Sequence, residues 1–323
     1  MFEYNSGFAD KIRAMLENRE MRGFKPGYYP QTLKYFDTYC AECCPGAAKL
    51  TQALVHAWLD KTNVTPNQMR LRTGAIRQLG LYMCAIGDDA YVLPDKFTSY
   101  TNRQNPFILT DYELSALFAA IDRLPEDKTE PFMNEIAPTL FRLTYTCGLR
   151  PNEARELLTE NIYLGSGEVL LTHTKKNHER IIVMSDDMRA MCCEYDLRRR
   201  IFGLGSPYFF PSNNGGAFTS AKLRNVLNKA WLDVMTTPQN PFPHTLRVYD
   251  LRHRFASACL NRWLDEGRDL NNMLPYLRTY MGHNTLNETA YYIHILPENL
   301  VKSAAIDWER LNALLPEVNV CPD

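Results

Sequence analysis

Three short stretches of the chain combine residue types that can handle a phosphate anion. The first is Thr146-Cys147-Gly148-Leu149-Arg150-Pro151-Asn152-Glu153. An arginine directly after a Gly-Leu turn, at a helix start, stands on a rigid base. Its guanidinium can fork onto an oxyanion through two parallel N–H bonds. Glu153 can orient it. The second is Tyr249-Asp250-Leu251-Arg252-His253-Arg254-Phe255-Ala256. Leu251, Phe255, Ala258 and Cys259 give it one apolar helical face. Tyr249, Arg252 and His253 are left to project toward a site at the helix entrance. The third is Gly282-His283, followed nine residues later by Tyr292 in Thr289-Ala290-Tyr291-Tyr292-Ile293-His294. Each stretch alone is a weak signal. An isolated arginine is commonly a surface cap, and one tyrosine among 18 carries little information. No P-loop, dinucleotide-binding glycine fingerprint, HExxH or GxSxG motif accompanies them.

The elements that must position these residues follow from pattern and length. A chain of 323 residues favours two domains. With 45% hydrophobic and 23% charged residues it is globular, neither disordered nor low-complexity. No apolar run approaches the roughly 20 residues of a membrane helix. The first thirty residues hold no signal-peptide core, so a cytoplasmic location is expected. Helical spacing marks Phe8 to Leu16, Gln31 to Cys40 and Leu50 to Leu59. Pro66 opens a fourth helix that Gly87 stops. Arg70, Arg72 and Arg77 lie on it, either as a solvated face or as a grip on phosphates. Residues 93–108 lack periodicity and read as a linker, placing the boundary near residue 104. The domains are thus 1–104 and 105–323. Thr110 or Asp111 caps the first helix of the second domain.

That second domain reads as α+β. Glu135 to Tyr145 is helical. Pro151 starts a helix expected to carry Ala154, Leu157, Leu158 and Ile162 on one face. Two β-rich runs, Gly167 to Thr174 and Glu179 to Met184, flank the polar turn Lys175 to His178 as a hairpin. Helices resume from residue 219. The predicted fold class is mainly α with a small β-sheet.

Charge and cysteine content narrow the partners. The formal net charge of −1 is mild evidence against a nucleic-acid binder. Residues 1–104, however, carry 13 Lys and Arg against 10 Asp and Glu, and a neutral total can hide a basic face. Nine cysteines in no framework spacing read as reduced fillers. Cys40, Cys43 and Cys44 contain a CxxC pair, but with only His56 nearby the spacing is incomplete for zinc, and no metal site is expected.

Taken together, the stretches resemble the tyrosine recombinases, or phage integrases. TCGLRPNE looks like the family's first-arginine box, RVYDLRHRFAS its second, and YMGHNTLNETAYYIH its closing His and Tyr box. LLTHTKKNHERIIVM resembles the strand pair bearing the family's lysine, and YFFPSNNGGAFTSAKL the segment after it. The resemblance spans about residues 106–296, and the helical N-terminal part matches the core-binding domain more loosely. It implies a helical core-binding, DNA-binding domain and an α+β catalytic domain with a C-terminal docking tail. Leu300, Ala304, Trp308, Leu311 and Leu314 would line that tail, on a neighbouring protomer or on their own domain. It implies two phosphate-binding arginines, Arg150 and Arg252, a hairpin lysine at Lys175 (Lys176 is the other register), His283, and Tyr292 as nucleophile, with Tyr291 a poorer fit. Tyr249 stands where the family usually has His. It can donate a hydrogen bond to phosphate but cannot act as a base near neutral pH. His244-Thr245-Leu246-Arg247 also fits H-x-x-R, without the residues that follow the second box.

The implied chemistry is a 3′-phosphotyrosine intermediate with a free 5′-hydroxyl. Neither ATP nor metal is required. The implied partner is double-stranded DNA, gripped between the two domains by Arg70, Arg72 and Arg77 among others. Arg198-Arg199-Arg200 is a further basic cluster that reads first as a solvated helix end. A homotetramer on two DNA sites, with accessory DNA-bending proteins, and a role in moving or resolving a mobile element complete the expectation. About a hundred residues before the catalytic domain leave no room for an arm-binding domain. Two other readings stay open: a type IB topoisomerase that relaxes DNA, and an inactive DNA-binding regulator on the same fold.

Overall fold

The computed structural model describes residues 2–61, 64–95, 97, 106–126, 128, 130–172, 179–201, 205–236, 238, 241 and 243–292. Lys175, Lys176 and the tail after Tyr292 lie outside the described residues. The chain divides into two compact units, residues 1–104 and 105–323.

Unit 1 is four helices: α1 (Ala9–Met21), α2 (Tyr29–Cys43), α3 (Gln52–Asp60) and α4 (Pro66–Ala85). Their starts are local in origin. Thr51 caps α3, and Thr65 with Gln68 forms a reciprocal capping box ahead of Pro66. Phe8, Leu33, Phe36, Trp58, Ile76 and Leu79 are buried in one core. The fully buried carboxylate of Asp37 accepts the backbone N–H groups of Asn5 and Ser6. It thereby fixes the chain entering α1.

Unit 2 carries the remaining elements. They are α5 (Asp111–Ile121), α6 (Met133–Thr146), α7 (Pro151–Arg155), β1 (Ile162–Tyr163), β2 (Glu168–Leu171), β3 (Arg180–Val183), α8 (Asp186–Ile201), α9 (Ser220–Met235), α10 (Val248–Asp265), α11 (Leu270–Met281) and α12 (Leu286–Ala290). Thr110, not Asp111, caps α5 in a box with Glu113. Asp111 instead pairs with Arg254 of α10. The strands form one antiparallel sheet in the order β1-β2-β3, with Val169 opposite both Ile162 and Ile182. The inward side chains of that sheet join a core with Phe141, Phe209, Phe210 and Trp231. A smaller cluster of Leu260, Leu274, Leu277 and Met281 seats α11 on α10. Among the described residues no helix is long and apolar enough to cross a membrane.

The helix from Pro151 is shorter than its apolar spacing predicts. It stops at Arg155 because the next residues find other backbone partners. Leu157 C=O accepts from Phe209 N–H at 2.7 Å, and Thr159 N–H donates to Pro207 C=O at 2.8 Å. Ile162, expected on that helix, begins β1 instead, so the predicted hairpin is the outer part of a three-stranded sheet. The basic cluster at the end of α8 is consumed internally. Arg199 and Arg200 both pair with Asp196, and Arg198 pairs with Glu135 and Glu194.

Candidate active site

Two helix ends frame the site. α6 closes at Cys147 and turns through Gly148, whose φ of +57° suits glycine. α11 closes at Gly282 with φ +64°. Both ends offer carbonyl oxygens that have no helical partner, at the negative pole of the helix dipole. Guanidinium groups collect there.

Arg150 follows the first turn and caps α7. Its backbone N–H and its Nη1 both donate to Glu153, at 2.9 and 2.8 Å, and its Nη2 donates to Gly282 C=O at 2.5 Å. Arg252, one turn into α10, is fully buried. Nη1 donates to Gly148 C=O and Nη2 to Met281 C=O, each at 2.6 Å. One residue therefore ties the first stretch to the third. Its Nε has no partner.

Glu153 is the hub. It is 4% exposed, yet it also accepts a two-pronged bond from Arg180 of β3, at 2.8 and 2.9 Å. Burial would raise its pKa, but Arg180 and Arg150 together outweigh burial and hold the carboxyl at about 2. Arg180 Nε reaches on to Tyr280 C=O at 2.8 Å. Arg252 Nη1 lies 3.9 Å from Glu153 Oε2, so three guanidinium groups face one carboxylate, and the surplus positive charge suits an anion. Arg180 is the residue that reading the sequence missed. Nothing in its strand setting distinguishes it from an ordinary edge arginine.

His283 Nε2 lies 3.0 Å from Arg252 Nη2, and Nδ1 lies 2.8 Å from Thr289 Oγ1. An arginine can only donate, so Nε2 accepts and the ring proton sits on Nδ1. Burial and then the charges of Arg252, Arg150 and Arg180 lower its pKa to about 3, so the ring is neutral. Tyr292 stacks on it at 5.9 Å and 14° and is 2% exposed. Burial pushes the phenol up to about 12, partly countered by Arg252. Tyr291, beside it, is half-buried and caps α12. Tyr249 is exposed, with its ring 4.9 Å from His253.

The structure therefore gathers Arg150, Arg252, His283 and Tyr292, with Tyr249 at the edge. The competing Arg247 is held elsewhere. It caps α10 through Asp250 at 2.6 Å, while His244 stacks on Phe107. In unit 1 the three arginines of α4 differ. Arg70 is exposed. Arg72 lies over the Trp58 and Tyr35 rings, and Arg77 is bound to Leu93 C=O and Asp95. Arg70 keeps company with an aromatic group the sequence did not flag. Tyr28 and Tyr29 stack at 4.4 Å, Arg19 sits 4.0 Å over Tyr29, and the charges of Arg70 and Arg19 both act on the Tyr28 phenol.

Gly148 offers a direct test of the frame. A β-carbon there would lie 2.7 Å from Phe255 Cε1, in a left-handed conformation that side chains avoid. Gly148→Ala is expected to cost about 2–4 kcal/mol by thermal melting, combining backbone strain with overpacking. In a Phe255→Ala background Gly148→Ala should cost only the strain part. Equal costs of Gly148→Ala in the wild-type and Phe255→Ala backgrounds would contradict this packing.

Comparison with known proteins points one way. Residues 108–299 match the phage integrase family. An integrase/recombinase-named protein of Sinorhizobium fredii, y4rB, is 26% identical over 94% of this chain and 98% of its own length. Tyrosine recombinase XerD of Vibrio cholerae is 27% identical over 76% of each chain. In fold, the chain superposes on the XerH site-specific recombinase in a post-cleavage complex with its difH substrate, with a TM-score of 0.64. That match covers 96% of this chain and 92% of XerH, at 17% identity. The chain belongs to the phage integrase family, the tyrosine recombinases of site-specific DNA recombination.

Proposed function

We propose that this protein cleaves and rejoins duplex DNA at a specific site through a 3′-phosphotyrosine intermediate, in the integration, excision or resolution of a mobile element. The observation that carries the reading is the Arg150–Arg252–Arg180 cluster on the buried Glu153 carboxylate, with the Tyr292 phenol packed beside it. Such a cluster is preorganised for the charge that builds on the nonbridging oxygens of a phosphodiester. Arg150 and Arg252 hold those oxygens. Tyr249 donates a further hydrogen bond from the open edge. The Tyr292 oxygen attacks phosphorus, the bond to the 5′-oxygen breaks, and Lys175 protonates that oxygen. The phosphotyrosine bond conserves the energy, so a second 5′-hydroxyl reseals the strand without a nucleotide. In the free protein His283 accepts from Arg252. Its contribution there is orientation, and it donates to a phosphate oxygen only once that bond is exchanged.

Exchanging two duplexes cuts four strands. Each chain contributes one nucleophile, so the working assembly is a homotetramer on two sites. Unit 1 is the DNA-binding domain. Arg70 supplies its phosphate contact with Arg19 and the stacked tyrosines beside it. Arg72 and Arg77, engaged internally, contribute less.

The test is a covalent trap. Wild-type protein and Tyr292→Phe are mixed with a library of nicked duplexes that lose a short fragment on cleavage. Denaturant-resistant adducts with wild type alone, enriched for an inverted repeat, are expected. Adducts without site preference would instead indicate a topoisomerase. Salt-sensitive duplex binding without adducts would indicate a regulator.

A further inference from the structure

The proposed attack needs a group to take the Tyr292 proton. Tyr292 is buried, and its phenol is far from ionised at neutral pH. Its neighbours are mostly unfit for the task. Arg252 and Arg150 are cations that only donate. Both nitrogens of His283 are engaged, one by Arg252 and one by Thr289. Tyr249 is itself a phenol.

His253 is different. It stands one turn after Tyr249 on α10, on the same face. Its ring lies between the two phenols, 4.9 Å from Tyr249 and 5.5 Å from Tyr292 by centroids. Its Nδ1 is buried with no hydrogen-bond partner. A buried nitrogen left unpaired carries a desolvation cost and is rare in native structures. Among the described histidines around Tyr292, it is the one with an uncommitted ring nitrogen.

From this we infer that His253 is the proton acceptor for Tyr292, in a site whose family-typical histidine position is occupied by Tyr249. The inference rests on the proposed phosphotyrosine reaction. As the Tyr292 oxygen bonds to phosphorus, its proton passes to His253 Nδ1. The P–O5′ bond breaks, and the leaving oxygen takes its proton from Lys175. On resealing, His253 returns the proton to the tyrosine oxygen. The ring must be neutral to accept. The charged groups facing it are Asp250, which raises its pKa, and Arg247 and Arg252, which lower it; with burial foremost, the outcome is about 4. Tyr249 and Tyr292 complete its surroundings. A phosphodiester anion entering the site favours the imidazolium that forms.

Two variants test this on a duplex selected by the covalent trap. His253→Ala leaves space, and His253→Phe keeps a packed ring. Both are expected to bind the duplex as wild type does and to form adduct about 100-fold or more slowly. Added imidazole should restore His253→Ala but not His253→Phe. Restoration by a series of substituted imidazoles should rise with their pKa, which a structural role would not produce. A substrate with sulfur at the bridging 5′ position needs no leaving-group proton, and His253→Ala should remain slow on it. Wild-type cleavage by His253→Phe, or indifference of His253→Ala to imidazole, would overturn the inference. Failure of wild type to form adducts on any duplex would instead overturn the reaction it rests on.

Discussion

Arg252→Ala is expected to reduce adduct formation by about 1,000-fold or more, and Arg252→Lys by nearly as much. Loss of a single transition-state donor already costs about 100–1,000-fold. Arg252 does more than donate once. It is fully buried and holds the carbonyls of Gly148 and Met281 together. An ammonium has no planar fork and cannot hold two carbonyls and still face a phosphate. Single-turnover cleavage with a saturating duplex is the measurement. A lysine variant near wild-type rate would show that charge alone suffices. Arg247→Ala, by contrast, removes the cap pair with Asp250 and one of the charges near His253, and touches neither Arg150 nor Tyr292. It should leave the cleavage rate within a few-fold of wild type.

Glu153→Gln should produce the largest loss of stability. The amide cannot neutralise Arg150 and Arg180, and its NH2 group faces their donors. Breaking a buried charge cluster on one side costs about 3–5 kcal/mol. The pH dependence separates this from simple misfolding. The folded pKa of about 2 lies below the usual carboxylate value, so the carboxylate stabilises the fold above about pH 4.5. That contribution fades as pH falls toward 2, and it amounts to about 3 kcal/mol by linkage. Wild type should lose stability over that window faster than Glu153→Gln does. Parallel acid melting curves would refute the role of Glu153. Cleavage should fall with stability, because Arg150 loses its orienting partner.

Much of this was visible in the sequence, and the limits are instructive. The helix starts at Pro66 and at Thr110 or Asp111 were legible because helix starts are local chemistry; the structure chooses Thr110. That Arg150, Arg252, His283 and Tyr292 gather in one place was legible from the three stretches occurring together and in order, since each alone is a weak signal. β1 was not, since Ile162 also fits the apolar face of a helix from Pro151. Only the pull of residues 207–209 on Leu157 and Thr159 decides between them, and that contact is long-range. Arg180 and the unpaired nitrogen of His253 were invisible for the same reason. Their meaning depends on Glu153 and Tyr292, which are distant in the chain. Arg72 and Arg77 shared a helix with Arg70, but spacing cannot tell which cations the fold uses itself.

The arginines of this site are anchored on main chain as much as on side chains. Arg150 holds Gly282 C=O, Arg252 holds those of Gly148 and Met281, and Arg180 that of Tyr280. A carbonyl is present whatever the residue type. Positions such as 280 and 281 can therefore change identity without releasing the guanidinium they support. What constrains those positions is separate: the left-handed turns at Gly148 and Gly282 and the buried packing of Met281 against α10. Substitution at such a position is a packing question for its side chain, separate from the anchoring of the guanidinium.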